Sequence, residues 1–316
     1  MDNTLMTLPT IRYSRKMREW VVADIDVQHG HQVIYDSLPT SLSLLTWNID
    51  FVAANQWKRV TAVLDYLQYD VFQTHLHGSP QPCVVMLQEV RADTFDTILQ
   101  HPWVRRYFTV FPDSPKRWPH GARYGLVTLL GRGVRITQAR SLWFGNTGMA
   151  RGALLVDVLV AGRALAAQVL RIANTHLESL PAGAPRRAGQ MRAIAPLVHD
   201  AGVAGGLVCG DMNALVPADD ALVAQCGLND AWDCREDARA YGATWGHQPA
   251  HARFAPGRLD KILFVGRGAY RVQGTRKIGE GVTLATEDGA YLSDHCGLMC
   301  EVTVAAGGSS PIHVHY

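Results

Sequence analysis

The segment Gly210-Asp211-Met212-Asn213 places a carboxylate and an amide two residues apart, directly after the apolar run Leu207 to Cys209. The apolar run predicts a short buried strand, and in extended backbone beyond it the side chains of Asp211 and Asn213 would point to the same face. The carboxylate can then take a proton from a water molecule that the amide orients by a hydrogen bond. The same residue types also form ordinary Asx turns, so the tetrapeptide alone leaves both a turn and a catalytic site open.

Polar residues of the types that metal and hydrolytic sites use occur at the ends of several other predicted strands. They are Asn48, Glu89, His176, Asp260, Asp294 and His295. Taken singly, each has an ordinary explanation, because an acid at a strand end is commonly a solvated cap and a lone histidine a satisfied polar group. Together with Asp211 they form a set of metal-binding and acid–base residues that solvated caps do not explain.

The elements that must position these residues are strands and helices that alternate in both halves of the chain. Apolar and alternating patterns predict strands at residues 42–49, 83–87, 123–130, 135–139, 153–160, 164–175, 207–209, 259–265 and 297–304. Helical spacing predicts helices at 55–69, 92–100, 188–201 and 219–226. Strand–helix–strand units around a run of consecutive strands predict an α/β fold of two mixed sheets packed face to face, with the helices outside.

Length and composition bound the domain organisation and the compartment. The chain has 316 residues, 47% hydrophobic and 18% charged, and its net charge of +2 permits a local basic groove without requiring one. We expect a partly ordered N-terminal extension at 1–40, a single catalytic domain at 41–304 and a flexible tail at 305–316. The six cysteines show no paired or zinc-like spacing, which favours buried thiols in a reducing compartment. Because no apolar run approaches membrane-spanning length and no hydrophobic signal region is present, we expect an intracellular, soluble monomer in the nucleus or the cytoplasm.

Five of the polar segments occur in the order that is typical of the endonuclease/exonuclease/phosphatase superfamily. They are Thr46-Trp47-Asn48-Ile49-Asp50, Leu87-Gln88-Glu89-Val90, Thr175-His176-Leu177-Glu178-Ser179, Gly210-Asp211-Met212-Asn213 and Ser293-Asp294-His295-Cys296-Gly297-Leu298. Within this superfamily the Trp-Asn-Ile-Asp and His-Leu-Glu-Ser forms most resemble the 5′-tyrosyl-DNA phosphodiesterases. The resemblance covers roughly residues 42–304 and implies a four-layer α/β/β/α sandwich of the DNase I-like type.

The resemblance also implies a reaction, a cofactor and a role for each site residue. The expected enzyme is a Mg²⁺-dependent phosphodiesterase, with Mn²⁺ as an alternative ion, that hydrolyses a 5′-phosphotyrosyl bond at a single-stranded or frayed DNA end. Such a reaction leaves a 5′ phosphate and would repair covalent topoisomerase-type adducts. The implied metal ligands are Glu89, Asn48 and Asp294; the catalytic residues are Asp211, Asn213, His176, His295, Asp260, Arg151 and Tyr124; and the substrate contacts are Trp245, Arg151 and His176.

Other interpretations of the same residues stay open at this point. The chemistry could act on RNA, on another nucleotide ester, or on a phospholipid or inositol phosphate, and Trp245 could be a packing residue instead of a stacking platform. Arginines 186, 187 and 192 are expected on a solvated helix face. A non-catalytic scaffold is disfavoured because every expected catalytic position is filled. Cys296 departs from the tyrosyl branch, in which a tryptophan commonly follows Ser-Asp-His.

Overall fold

The computed structural model describes residues 2–23, 25, 38–75, 78–162, 167–232, 242–285 and 289–304. The flexible tail expected at 305–316 lies outside these ranges, as do the first residues of the strand expected at 164–175. Among the described residues, no helix has both the length and the apolar character needed to cross a membrane.

Two β-sheets and two groups of helices make up the described part of the chain. The strands are β1 (Thr4–Thr7), β2 (Ile11–Ser14), β3 (Glu19–Val22), β4 (Ser41–Asn48), β5 (Cys83–Arg91), β6 (Phe108–Phe111), β7 (Tyr124–Gly131), β8 (Arg135–Trp143), β9 (Gly152–Ala161), β10 (Ala167–His176), β11 (Gly205–Asp211), β12 (Asn229–Asp230), β13 (Asp260–Phe264), β14 (Tyr270–Ile278) and β15 (Gly297–Val304). The helices are α1 (Gln56–Tyr66), α2 (Phe95–Gln100), α3 (Pro102–Tyr107), α4 (Ala184–Val198) and α5 (Pro217–Gln225). A π-helical turn, Leu67–Val71, extends α1.

Each sheet contains one pair of parallel strands among antiparallel neighbours. The first sheet has eight strands in the order β14-β15-β4-β5-β7-β6-β2-β3, with β4 and β5 parallel. The second has seven strands in the order β1-β8-β9-β10-β11-β13-β12, with β10 and β11 parallel. The two halves of the chain thus build the same arrangement, a parallel pair near the middle of a mixed sheet.

The two sheets pack face to face, and helices cover both outer faces. Along β4, Leu42 and Leu44 face the core between the sheets, whereas Leu45 and Trp47 face the helices, as the alternation of side chains along a strand requires. Because both faces are buried, apolar residues occur on both faces of the strand, so Leu44 and Leu45 follow one another directly. Helices α1 to α3 lie on the first sheet, and α4 and α5 lie on the second. The expected four-layer α/β/β/α sandwich of two mixed sheets is confirmed.

Helix α1 shows how the apolar spacing produces one of the outer layers. Val60, Val63, Leu64 and Leu67 recur at the spacing of one helical face, and all four are at most 1% exposed. Burying a side chain of this size contributes about 1.5 to 3 kcal/mol relative to leaving it in water. The packing of this face on the first sheet is therefore the main reason that the helix forms here.

The structure adds short elements that the sequence patterns did not predict, apart from β3, which lies where the run Trp20 to Ile25 indicates a strand. Strand β1 pairs with β8 in the second sheet, and β2 and β3 form an edge of the first sheet. Residues expected to form an N-terminal extension therefore contribute strands to both sheets, while the domain boundary at residue 41 stays a prediction. Strands β6 and β14 and helix α3 were also missed, since each is short or lies at a sheet edge where polar residues break the pattern.

Candidate active site

The parallel strand pairs bring four of the predicted site residues to one edge of the sandwich. Asn48 ends β4, Glu89 lies near the end of β5, His176 ends β10 and Asp211 ends β11. The carboxyl ends of parallel neighbours lie at the same edge of a sheet, so each pair delivers two side chains to the same place. Because the sheets are stacked, the two edges adjoin.

Antiparallel neighbours deliver two further residues to this edge. Asp260 is the first residue of β13 and lies opposite Asp211 in the ladder. His295 lies two residues before β15 begins. Gly210 permits the close approach of β11 to β10, since its φ is +143° and an added Cβ atom would lie 1.8 Å from the carbonyl oxygen of Thr175.

Asp211 is the centre of the site. It is 1% exposed, and its Oδ2 atom accepts a hydrogen bond from Asn48 Nδ2 at 3.0 Å. The Nε2 atoms of His176 and His295 lie 3.4 and 3.8 Å from the same oxygen. Three nitrogen atoms therefore surround one carboxylate oxygen, and they come from three different strands or strand ends.

His295 is held between two carboxylates. Its Nδ1 atom lies 2.8 Å from Asp260 Oδ2, and its Nε2 atom faces Asp211. Burial opposes protonation of the imidazole, but the negative charges of Asp260 and Asp211 outweigh it and raise the pKa of His295 well above its ordinary value. The ring is thus an imidazolium whose Nε2–H points into the site.

The ligand atoms of Asp211, Asp260 and His295 all lie within 4.8 Å of one another, a spacing that would also allow a metal ion. The hydrogen bond from His295 Nδ1 to Asp260 and the protonated state of the ring argue against a metal there, because a metal ligand must be neutral imidazole. His295 is hydrogen-bonded to Asp260 and forms a longer ion pair, at 3.8 Å, with Asp211.

His176 has the opposite protonation state. Arg151 Nη1 lies 2.9 Å from His176 Nδ1, and because a guanidinium can only donate, Nδ1 must accept and the proton must lie on Nε2. Burial, together with the positive charges of Arg151 and His295, holds the pKa of His176 well below its ordinary value. His176 is therefore a neutral donor whose Nε2–H faces Asp211 and, at 3.9 Å, Glu89 Oε1.

Arg151 and Tyr124 lie together on the other side of His176. The Arg151 guanidinium sits 5.3 Å from the centre of the Tyr124 ring and donates from Nη2 to Ser179 Oγ at 2.8 Å. Tyr124 in turn stacks on Phe51, with 3.8 Å between ring centroids. Ser179 and Phe51 are contacts of the site that the sequence did not predict.

Glu89 is suited to binding a cation. Its φ of 61° lies in the left-handed region, at a bulge where the pairing of β5 with β7 shifts register, and such backbone is uncommon for a non-glycine residue. Burial raises the pKa of Glu89 to about 7, although the hydrogen bond that Phe51 N–H donates to Oε2 lowers it. A carboxylate this buried, with its Oε1 directed into the site, favours a bound positive charge.

Asp294 and Asn48 carry further oxygen atoms next to residues of the site, since Asp294 precedes His295 and Asn48 contacts Asp211. Burial and the charge of Asp294 both raise the pKa of Asp50, so these two acids lie close together. Asn48 Oδ1 accepts a hydrogen bond from Asp50 N–H at 3.1 Å and keeps a second lone pair. The donor set consists of carboxylate and amide oxygens, which fits Mg²⁺ or Mn²⁺.

Trp245 is placed by Asp294 and His295. Its indole Nε1 donates to Asp294 Oδ2 at 2.9 Å, and its ring lies 6.3 Å from the His295 ring and 4.7 Å from His251. The side chain is partly buried, and it orients Asp294 through the hydrogen bond from its indole.

Asn213 does not continue the extended backbone of β11, so the expectation that its side chain and that of Asp211 share a strand face is wrong. Its φ is 47°, in the left-handed region that asparagine tolerates. Asp211 Oδ1 accepts from Asn213 N–H at 2.8 Å, which closes an Asx turn, and Asn213 Nδ2 donates to the carbonyl of Leu177 at 3.0 Å. The turn and the site coexist, since Asp211 uses one oxygen for each.

A buried polar network behind the site was also missed. Asn174 accepts at Oδ1 from Gln88 Nε2 at 2.8 Å and donates from Nδ2 to the carbonyl of Val127 at 3.1 Å. Gln88 also donates to Thr46 Oγ1 at 2.9 Å. These bonds join the two sheets directly beneath the residues that carry Asn48, Glu89 and His176. In the sequence, only the position of Gln88 next to Glu89 indicates that it could help to join the two sheets.

Arg187 corrects another expectation. It is fully buried, and its Nε and Nη2 atoms donate to the two carboxylate oxygens of Asp219, at 2.9 and 2.8 Å. It therefore joins α4 to α5 and is not part of a solvated face. A helical pattern alone could not show this, because the acid lies 32 residues further along the chain.

Comparisons with known proteins agree with this geometry. A family model described as "Endonuclease/Exonuclease/phosphatase family" matches residues 45–295. A search of curated protein sequences gives no significant match.

Several solved structures share the fold. Zebrafish TDP2, humanised by 14 mutations, superposes with a TM-score of 0.65 at 22% sequence identity, covering 84% of this chain and 100% of that one. Zebrafish TDP2 in complex with a single-strand DNA product gives 0.64 at 21%, covering 84% and 99%. TDP2 from Caenorhabditis elegans gives 0.64 at 19%, covering 85% and 76%. Because the family model spans most of the chain, the protein belongs to the endonuclease/exonuclease/phosphatase family and is a metal-dependent phosphodiesterase.

Proposed function

We propose that this protein uses Mg²⁺ to hydrolyse a 5′-phosphotyrosyl bond at a single-stranded or frayed DNA end, leaving a 5′ phosphate. The observation that supports the proposal is the arrangement around Asp211, whose Oδ2 atom faces Asn48 and the Nε2 atoms of two histidines, with the largely buried Glu89 next to His176. The likeness of the fold to zebrafish TDP2, solved with a single-strand DNA product, supports a DNA strand as the substrate.

Glu89 and Asp294 are the proposed metal ligands, with Asn48 Oδ1 as a direct or water-bridged third. A bound divalent cation supplies positive charge that offsets the charge developing on the phosphoryl oxygens. Mn²⁺ would satisfy the same oxygen donors.

Asp211 is the proposed base that takes a proton from the attacking water. Its Oδ1 atom is fixed by the backbone of Asn213, so the carboxylate cannot rotate away from the site. Asn213 fixes the loop through Leu177 and can offer its own amide oxygen, because its Nδ2 is already bonded.

Two histidines are the proposed donors to the phosphoryl oxygens. His295 brings a full positive charge that Asp260 maintains, and His176 brings a neutral N–H that Arg151 orients. Both Nε2–H groups face the same carboxylate oxygen of Asp211, so a phosphate bound next to Asp211 lies within reach of both. Removing one such donor typically costs about 100- to 1000-fold in rate.

Arg151 and Tyr124 are the proposed further donors, on the His176 side of the site. Trp245 is proposed to contact a base of the strand next to the scissile phosphate, at the His295 side. Stacking of this kind is worth about 1 to 3 kcal/mol per base.

A panel of phosphoesters assayed with the wild-type protein and with Asp211→Asn tests this proposal. We expect turnover of a 5′-phosphotyrosyl oligodeoxynucleotide to exceed that of RNA, of a nucleotide-linked ester and of phospholipid or inositol phosphates, and to be lost in the variant. Preferential turnover of one of the other esters would keep the chemistry and overturn the substrate.

A further inference from the structure

A second group of metal-binding side chains lies beside the active site and takes no part in the chemistry proposed above. It consists of Cys296, His247 and Glu280, whose ligand atoms all lie within 4.8 Å of one another. Cys296 Sγ is 3.6 Å from His247 Nε2, and the same nitrogen is 3.2 Å from Glu280 Oε1. Thiolate, imidazole and carboxylate together are the ligand types that bind Zn²⁺ in proteins.

The spacing of these atoms matches a tetrahedral centre. With Zn–S near 2.3 Å and Zn–N and Zn–O near 2.0 to 2.1 Å, a tetrahedral angle puts sulfur and nitrogen about 3.6 Å apart and nitrogen and oxygen about 3.3 Å apart. The observed separations from His247 Nε2 agree with both values. If hydrogen bonds alone held these three side chains, His247 Nε2 would not need to lie at both the zinc-like sulfur distance and the zinc-like oxygen distance.

The three ligands are carried by segments that are already tied together. Gln248, next to His247, donates from Nε2 to the carbonyls of Gly279 and His295, at 3.3 and 3.2 Å. Gln248 Oε1 accepts from Gly281 N–H at 2.9 Å, and Cys296 N–H donates to the carbonyl of Thr244. Little of the backbone would have to be ordered when a metal binds.

The three side chains differ in their exposure to solvent. Cys296 is fully buried, while the side chains of His247 and Glu280 are 26% and 51% exposed. The exposed pair gives a metal ion access from solvent, and the buried sulfur excludes water from one side of the centre. A water molecule can occupy the fourth position.

We propose that Cys296, His247 and Glu280 bind one Zn²⁺ ion, or a cation of similar size and softness, at a site separate from the proposed Mg²⁺ site. When the metal–sulfur bond forms, the Cys296 thiol releases its proton to solvent, so the thiolate, a neutral imidazole and a carboxylate coordinate the ion. Lys277 Nζ lies 2.6 Å from Glu280 Oε1 and has to leave that oxygen.

The site has a mechanical consequence for its surroundings. Trp245 and His247 belong to one loop, and Cys296 directly follows His295. A metal bound to His247 and Cys296 fixes the distance between that loop and the strand end that carries His295. Glu280 adds the turn after β14 to the same centre.

Titration of the full-length protein with Co²⁺ in the presence of excess Mg²⁺ tests the proposal. We expect thiolate-to-cobalt charge-transfer absorption that saturates at one Co²⁺ per chain and disappears when Zn²⁺ is added. Binding of Co²⁺ at the oxygen ligands of the Mg²⁺ site gives no such absorption, so the result does not depend on the proposed function.

Variants assign the absorption to these residues. Cys296→Ser is expected to abolish it, and Cys226→Ser, which changes a buried cysteine elsewhere, is expected to leave it unchanged. Glu280→Gln and His247→Asn, both at partly exposed positions and expected to fold, should weaken binding at least tenfold. Lys277→Gln should tighten it, because the competing cation is removed.

Absence of thiolate absorption in the folded wild-type protein would overturn the proposal. An unchanged Co²⁺ affinity in His247→Asn would do so as well, because His247 would then not be a ligand. Absorption that persists in a folded Cys296→Ser would also overturn it, because another cysteine would then be the ligand.

Discussion

Asp211 joins every part of the site, because one of its oxygens fixes the Asn213 turn and the other faces both histidines. At the scale of the residue, the chemistry follows from how each neighbour is protonated. His295 is held as a cation by two carboxylates, and His176 is held neutral by an arginine. Two chemically identical side chains therefore differ in charge, because their neighbours move their pKa values in opposite directions.

Asp211→Asn should reduce kcat on a phosphodiester by at least about 100-fold, because asparagine keeps the shape of the side chain but cannot accept the proton of water. Steady-state kinetics and a thermal unfolding curve check this, and the unfolding curve should stay close to that of the wild type. Asp93→Asn is a matched control at an exposed acid that pairs with Arg91, and it should keep full activity. A loss of activity in both variants would remove the special role of Asp211.

Asp260→Asn should move the pH dependence of the reaction. Asp260 and Asp211 raise the pKa of His295, so removing one carboxylate lowers that pKa. Because the reaction needs protonated His295, the alkaline limb of the pH–rate profile should shift to lower pH, and kcat at neutral pH should fall. An unshifted alkaline limb would show that His295 is not the titrating donor.

Glu89→Gln should separate activity from stability. The pKa of Glu89 is raised from 4.5 to about 7, so above that pH the folded protein without metal bears an ionised, buried carboxylate that costs stability. With EDTA at pH 8, the free energy of unfolding of the variant should be higher than that of the wild type, by up to about 1 to 3 kcal/mol. The Mg²⁺-dependent activity of the variant should be lost. If the variant is less stable than the wild type under these conditions, the ionised Glu89 carboxylate does not destabilise the metal-free protein.

At the scale of the element, the site depends on strands that end together. Parallel pairing of β4 with β5 and of β10 with β11 explains why polar residues follow apolar runs at four places in the sequence. Those strands and the helices at their flanks could be predicted, because both faces of the strands are buried and one face of each helix is. Strand β14 could not, since it is an edge strand in which arginine, lysine and glutamine alternate with few apolar residues.

Contacts between residues far apart in the chain could not be predicted from local sequence patterns. The Asn174 network and the Arg187–Asp219 pair each join residues that lie 30 or more positions apart, and nothing local marks either as buried. Asn213 is a different case, because its residue types already indicate an Asx turn, and the structure contains that turn within the site. The residues at the site were predictable from their types, but their hydrogen-bond partners were not.

Asn174→Ala should destabilise the fold by about 1 to 3 kcal/mol, because it removes two buried hydrogen bonds between the sheets, from Gln88 Nε2 to Asn174 Oδ1 and from Asn174 Nδ2 to the carbonyl of Val127. Urea denaturation measures this free energy of unfolding. Asn3→Ala, which removes an exposed hydrogen bond to Gly145, is the matched control and should change stability by less than about 0.5 kcal/mol. Equal effects of the two variants would mean that the network between the sheets contributes nothing.

At the scale of the whole molecule, the two sheets each contain one parallel strand pair, although strands from both ends of the chain complete them. The first sheet carries Asn48 and Glu89, two of the proposed metal ligands, and the second carries His176 and Asp211, the proposed donor and base. Later strands close the site with Asp260 and with the segment Asp294-His295. Catalysis therefore requires both sheets in register, and the buried polar bonds between them serve that purpose.

In the proposed function, the edge of the sandwich that carries Glu89 and Asp211 cleaves a phosphotyrosyl ester with the help of a divalent ion. The most direct measurement is the release of tyrosine from a 5′-phosphotyrosyl oligodeoxynucleotide, followed with Mg²⁺, with EDTA, and after Mg²⁺ is restored. We predict multiple turnovers with Mg²⁺ that leave a 5′-phosphorylated strand, none with EDTA, and full recovery on restoring the ion. Release that continues unchanged in EDTA, or no release under any of these conditions, would contradict the account.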